Sequence, residues 1–371
     1  MKKATQQQIK EQNRNLVLKI IFERPVTSRA EIASITHLTR ATVSDIVADL
    51  LAQKLIGEVG IGTSIGGKSP ILLSLEPDSR YIIGVDLAQN WLSGAVVNLR
   101  GQIREMITMP IEDKNIDGVL RLVYETLDAL VKKAGRALVG IGLATSGIVS
   151  TKKGVVIQSV NLNWKDLPLG QRLEDRYHLP VYLLNDSHAA AMGEFVYGSN
   201  QSPAHNMVVI RAGHGIGAGI ILNGELYQGD EGYAGEIGHI ISVPEQGLLC
   251  RCGNYGCLET VASSSAVVQR AAKAAEASGQ SILGCSPEEI TLDILVKAFN
   301  EGDTLVQEII FEAGKYMGMA VASLIGTLNI HRVVLTGSMT RFGTPWLDVV
   351  RKIARETILP TLSQEIRIEM G

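Results

Sequence analysis

From Tyr81 onward the chain reads as a series of apolar, β-rich runs, each ending in a small or polar residue. "YIIGVDLA", "ALVGIGLATSG", "VYLLND", "NMVVIRAGHGIGAGIIL" and "HRVVLTGS" are the clearest. Helical periodicity follows several of them, as in "IDGVLRLVYETLDALVKKAG" and "LVQEIIFEAGKYMGMAVASLIGTL". Strands that alternate with helices need crossover connections, so the pattern implies α/β architecture with largely parallel sheets. Ligands of such folds meet the polar residues at strand ends. The region is about twice the size of one ordinary domain, which predicts two lobes with a cleft.

The first 75 residues have a different texture. They carry ten Lys/Arg against six Asp/Glu, leaving 25 against 32 for the remainder. A basic head on an acidic body fits a module that binds a polyanion. In "RNLVLKIIFERP", Leu16, Val17, Ile20 and Ile21 have helical spacing, and Pro25 closes the helix. Ser28 with Glu31 three residues on reads as a capping box opening a second helix. Thr39 caps a third, with Leu38 and Val43 as its hydrophobic staple and Gly57 close to its C-cap. Two short strands, "IGEVG" and "SPILLSL", flank a Gly-rich turn bearing Lys68. Three helices and a wing predict a winged helix-turn-helix. Thr39, Arg40, Thr42, Ser44 and Asp45 face away from the apolar stripe at the start of the third helix, where side chains reach bases and phosphates in a major groove. Lys68 on its glycine turn is placed to enter a minor groove. A solvated protein-interaction module is the competing reading.

No run of about 18 apolar residues predicts a membrane helix, and no apolar stretch follows the basic N-terminus as in a secretory signal. With four cysteines in 371 residues, three of them clustered, a disulfide scaffold is not expected. The protein is expected to be cytoplasmic. The cluster itself is informative. Cys250, Cys252 and Cys257 form C-x-C-x4-C, with His239 eleven residues upstream. Three thiolates and one imidazole complete a tetrahedral zinc set with no open position, the hallmark of a structural ion. Cys285 stands apart and reads as a small buried hydrophobe.

Two further stretches leave alternatives open. "GHGIGAG", Gly213 to Gly219, reads as an anion-cradling turn or as a tight strand reversal, and it lacks the lysine of a P-loop. Asp186 at a strand end reads as a general base or as a helix N-cap, and the two roles are compatible.

"GYAGEIGH" followed by "CRCGNYGCLE" resembles the signature of the ROK family of repressors, open reading frames and kinases. The head preceding it resembles that of the sugar-responsive repressor branch, of the N-acetylglucosamine and xylose type. The resemblance implies an actin-like, hexokinase-type body of the ribonuclease H-like class, two lobes around a sugar cleft, with a zinc-binding loop. The domains would then be residues 1–77, 78–195 and 196–371. It also implies that Glu236, His239 and Glu259 contact sugar hydroxyls, with His239 holding zinc through its other ring nitrogen. Asn185 and Asp186 would join them, Asp186 being the base that takes the hydroxyl proton in the kinases. Ser146–Gly147 and Asn161–Trp164 fall where relatives line the same pocket. The family's Asp-x-Gly-Gly-Thr phosphate loop is replaced here by Asp86, Leu87, Ala88, Gln89 and Asn90. Bulky residues there bar the close backbone approach that nucleotide phosphates need, and His214 stands where the kinases have threonine. One extra residue lies between His239 and Cys250, and the final helix with which the family usually continues past "IRIEMG" is absent, which suggests a shortened chain. The expected protein is a sugar-responsive repressor and not an enzyme. It would be a homodimer or homotetramer on a palindromic double-stranded operator, with a monosaccharide effector and structural zinc. A sugar kinase carrying a DNA-binding head and a protein-docking platform are the alternatives.

Overall fold

The structure is a computed structural model that describes residues 5–63, 69–113, 115–159, 162–198, 205–278, 284–363 and 365–371. It divides into two compact units, Met1–Val85 with Ser93–Met109 and Leu122–Ile141, and Asp86–Leu92 with Pro110–Arg121 and Gly142–Gly371.

The first unit opens with a small head. Helix α1 (Gln6–Glu23) leads to a two-residue strand β1 (Thr27–Ser28), helices α2 (Arg29–Thr36) and α3 (Arg40–Ala52), and a hairpin of β2 (Ile56–Ile61) and β3 (Ile71–Leu75). The three strands pair antiparallel in the order β1-β3-β2. The apolar stripes meet in one core: Val17 and Ile21 of α1, Ile32 of α2, Val43, Ile46, Val47 and Leu50 of α3, and Ile56, Leu73 and Leu75 of the hairpin. Burying each such side chain is worth about 1.5–3 kcal/mol.

Local signals were read correctly in part. α1 begins well before the apolar spacing marks, because Thr5 and Gln8 form a full capping box. Ser28 does accept from the Glu31 amide, but the Glu31 carboxylate turns instead to Thr27 Oγ1 and Arg24, so the expected box is only half formed. Thr39 caps α3 through the Thr42 amide, and Leu38 and Val43 both join the core. Gly57 is not at the C-cap. Lys54 takes the left-handed conformation after α3 (φ 56°), and Gly57 lies inside β2.

The rest of the chain runs β4 (Tyr81–Leu87), β5 (Trp91–Asn98), β6 (Ile103–Pro110), α4 (Ile116–Ala134), β7 (Leu138–Thr145), β8 (Ile148–Ser150), β9 (Val155–Ser159), β10 (Trp164–Leu167), α5 (Leu169–Tyr177), β11 (Val181–Asn185), α6 (Asp186–Tyr197), β12 (Met207–Ala212), β13 (Ile216–Leu222), β14 (Glu225–Tyr227), α7 (Glu259–Ala262), α8 (Ser264–Ser278), α9 (Leu292–Glu301), α10 (Thr304–Leu328), β15 (Arg332–Thr336), α11 (Gly343–Thr357), α12 (Pro360–Ser363) and β16 (Arg367–Met370). One five-stranded sheet has the order β11-β7-β4-β5-β6, and another the order β14-β13-β12-β15-β16. The second sheet is mixed, not largely parallel. β15 runs parallel to β12 and β16, while β12–β13 and β13–β14 are antiparallel hairpins. The "GHGIGAG" stretch therefore forms the reversal between β12 and β13.

α10 is long and apolar enough, by length and composition, to cross a membrane. Here it is a core helix, with Val306, Ile310, Ala313, Met317, Val321 and Ile325 buried in the core of the second sheet's layer. Within the first unit the β5–β6 turn grips the head. Leu99 packs against the head core and its amide donates to Pro77 O. Arg100 donates to Phe22 O and lies 5.5 Å over the Phe22 ring. A cation at the C-terminal carbonyls of α1 also answers the helix dipole.

Candidate functional site

The second unit collects polar side chains around the start of α6. Asn185 ends β11 and is the true N-cap: its Oδ1 accepts from the Ser187 and His188 amides, and its Nδ2 donates to Gly147 O at 2.9 Å. Asp186 is therefore not the cap. Its carboxylate is left over for other work, only 14 % exposed, and Arg211 Nη1 donates to it. Arg211 Nη2 also stands 3.6 Å from Asp86 Oδ2 at the end of β4. Asp86 Oδ1 is buried with no hydrogen-bond partner. Burial pushes the Asp86 carboxyl above the ordinary carboxylate range, against the pull of Arg211.

α6 comes this close to β13 because the strand face is bare. A Cβ on Gly217 would collide with Ser187 Oγ, and one on Gly219 with Ala191 Cβ and Ser187 O. These two glycines of "GIGAG" serve helix–strand packing. In the loop before them the Gly213 amide bonds Gly215 O at 2.9 Å, and the Ile216 amide bonds Glu259 Oε2 at 3.0 Å.

Glu236 lies three residues before His239, with Glu236 Oε2 3.9 Å from His239 Nε2. Burial first, then the charges of Asp186 and Glu259, push its carboxyl up to about 7, while Arg251 opposes them. Asp186, Glu236 and Glu259 thus share one electrostatic neighbourhood although they come from three separate segments. Glu259, buried at the start of α7, is fully engaged: Arg251 donates to Oε1 through Nε (2.8 Å) and Nη2 (2.7 Å), and Ile216 N holds Oε2. It braces the β12–β13 reversal.

His239, Cys250, Cys252 and Cys257 converge, their ligand atoms all within 4.8 Å of one another. Backbone bridges Ile241–Cys257 and Leu249–Tyr255 fold the loop so that they meet. Cys252 Sγ and Cys257 Sγ are 3.6 Å apart, as are Cys250 Sγ and His239 Nδ1. Tetrahedral zinc at ordinary bond lengths requires edges of roughly 3.6–3.8 Å. The donor set fits that ion. His239 presents Nδ1 to the sulfurs and Nε2 to Glu236, so one ring face is turned to each. Burial, then the neighbouring thiols, pushes Cys257 up to about 12.

Of the residues expected to read DNA, Thr39, Arg40, Ser44 and Asp45 are exposed at the start of α3, and Thr42 is half-buried with its Oγ1 2.9 Å from Thr39 Oγ1. Lys68 and Asn161 lie outside the described residues. Sequence reasoning missed Arg211 and Arg251. Both carried a signal: Arg211 is the one charge in "MVVIRA", and a charge in an apolar strand needs a partner. Arg251 sits between two of the clustered cysteines.

The body is thus an α/β protein of the actin-like, sugar-kinase type. The chain belongs to the ROK family, whose profile matches residues 82–369. It is 32 % identical to a xylose repressor of Caldicellulosiruptor bescii, over 98 % of this chain and 92 % of that protein. A solved ROK family transcriptional regulator, a homologue of the E. coli MLC protein, superposes with a TM-score of 0.84 at 30 % identity, covering 98 % of this chain and 92 % of that one. A ROK family glucokinase from Streptomyces griseus, solved with glucose and AMPPNP, gives a TM-score of 0.69 at 29 % identity over 78 % of this chain and 93 % of that one.

Proposed function

We propose that this chain is a sugar-responsive, DNA-binding transcriptional regulator, a repressor of carbohydrate-metabolism genes acting in the cytoplasm. The observation that carries the reading is the extent of the two likenesses. Similarity to the repressors spans 98 % of the chain, head included, whereas similarity to the glucokinase spans 78 %. The α1–α3 head with its hairpin is read as a winged helix-turn-helix, α3 entering the major groove with Arg40, Thr39, Thr42, Ser44 and Asp45 at its leading end. Lys68 would serve the wing. Two heads in a homodimer or homotetramer would address a palindromic operator, with half-sites in multiples of about 10 base pairs.

The effector is a monosaccharide whose hydroxyls donate to Asp186 and Glu236 and accept from His239 Nε2, with Asn185 beside them; Asn161, outside the described residues, is the further contact that the family resemblance implies. Glu259 serves mainly as a brace. A zinc ion held by His239, Cys250, Cys252 and Cys257 would supply rigidity, not chemistry, because all four positions come from protein. His239 is then oriented by its Nδ1 side, which leaves Nε2 for sugar. Sugar moves DNA affinity only by its different affinity for two arrangements of the chain.

Phosphoryl transfer is disfavoured on two grounds. Leu87, Ala88, Gln89 and Asn90 crowd the phosphate loop, and Arg211 holds the carboxylate that would act as base. Purified protein is mixed with a sugar panel, with and without ATP, and followed by thermal melting, operator gel shift and sugar-dependent ADP formation. A sugar that raises the melting temperature and shifts operator affinity without turnover is the expected result. Turnover at ordinary kinase rates would make the protein an enzyme. Arg40→Ala should weaken operator binding and leave sugar binding unchanged; equal operator affinity would remove Arg40 from the DNA interface.

A further inference from the structure

Among the side chains read above as sugar contacts stands an arginine that the reading has not yet used. Arg211 reaches from β12 to bridge Asp86, at the end of β4, and Asp186, at the start of α6. It is 27 % exposed, and the Asp186 carboxylate it holds is 14 % exposed. A charge-assisted bond so enclosed is among the stronger pairings a side chain makes. Removing the cation would leave two carboxylates facing one gap, with Asp86 Oδ1 already buried and without a partner.

We propose that Arg211 is a specificity-determining residue, and that it selects a pentopyranose over the hexose of the same ring stereochemistry. This rests on the sugar-sensing reading above. In a site built for phosphoryl transfer, the reacting hydroxyl must point from the base toward the phosphate loop, here from Asp186 toward Asp86. On a hexopyranose the hydroxyl free to project that far is the primary one, on the exocyclic carbon. The guanidinium bridge stands in that line. A hexose must push it off Asp186 and leave the carboxylate pair uncompensated. A pentopyranose carries only ring hydrogens at that carbon, so it seats with the bridge intact. Its remaining hydroxyls still meet Asp186 and Glu236. Arg211 thereby turns a transfer site into a reading site, and the same contact limits the size of the sugar it reads.

The test uses the full-length protein and matched pairs that differ only in the exocyclic carbon: xylose and glucose, arabinose and galactose, lyxose and mannose, ribose and allose. Dissociation constants are measured by calorimetry for the wild type and for Arg211→Ala. One missing or added carbon in a fitted pocket discriminates by about 10–200-fold. The wild type is expected to prefer the pentose of its best pair by at least about tenfold, and the variant to reduce that ratio to about threefold or less. The wild-type ratio is read whether or not the variant folds. A wild type that prefers the hexose overturns the inference, as does a folded variant with an unchanged ratio. No binding to any sugar in either set overturns this inference, and no binding to N-acetylglucosamine or N-acetylmannosamine either, measured alongside, refutes the sugar-sensing reading itself.

Discussion

Asp86 and Asp186 are chemically the same residue with different fates. Asp186 has a full cation partner in Arg211, while Asp86 shares that cation at longer range and hides one oxygen without a partner. Its raised carboxyl has a consequence for stability. A group that holds its proton more tightly in the folded state contributes fully below the unfolded carboxylate range, and the contribution is lost as pH rises through the folded value. Asp86→Asn, which cannot ionise, escapes that loss. Its melting temperature relative to wild type should therefore rise as the pH is raised above the unfolded carboxylate range, about pH 4, measured by calorimetry at several pH values. A relative melting temperature that falls instead would mean that the ion pair with Arg211 outweighs burial.

Single elements make the argument in both directions. Thr39 is legible as a cap from its position before an apolar run, and it caps α3 as read. Thr39→Ala should cost about 1 kcal/mol of head stability, seen as an earlier transition in denaturant. The α6 start was less legible. Asn185 and Asp186 are adjacent and both are good caps, so composition does not choose between them. The backbone does, because Asn185 has the extended conformation of a cap (φ −62°, ψ 145°). The metal loop is an element with little regular structure of its own, and its shape depends on the four ligands. Cys252→Ser should lower bound zinc, read by metal analysis, and weaken any sugar-dependent shift in melting temperature through His239. Full zinc content in that variant would exclude Cys252 as a ligand.

At the scale of the molecule, the head is joined to the strands behind it by more than a linker. Arg100 caps α1 and stacks on Phe22, and Leu99 enters the head core. Arg100→Ala should therefore loosen the head as a unit, giving faster amide exchange in α1 than in β12 or β15 and weaker operator binding, with zinc content unchanged. Uniform exchange across the chain would show that the contact is dispensable. What the residues determined by themselves was local: helix and strand periods, the caps at Ser28 and Thr39, and a cysteine–histidine set whose spacing suits one kind of ion. These depend on neighbours a few positions away, or on a ligand chemistry so restrictive that few arrangements satisfy it. Only the tertiary structure decided that the second sheet is mixed, that Glu259 braces a turn held by Arg251, and that Arg211 lies on Asp186 and near Asp86. Arg211 meets Asp186 across 25 positions and Ile216 meets Glu259 across 43, and a charged side chain does not reveal along the chain which opposite charge will be brought within its reach.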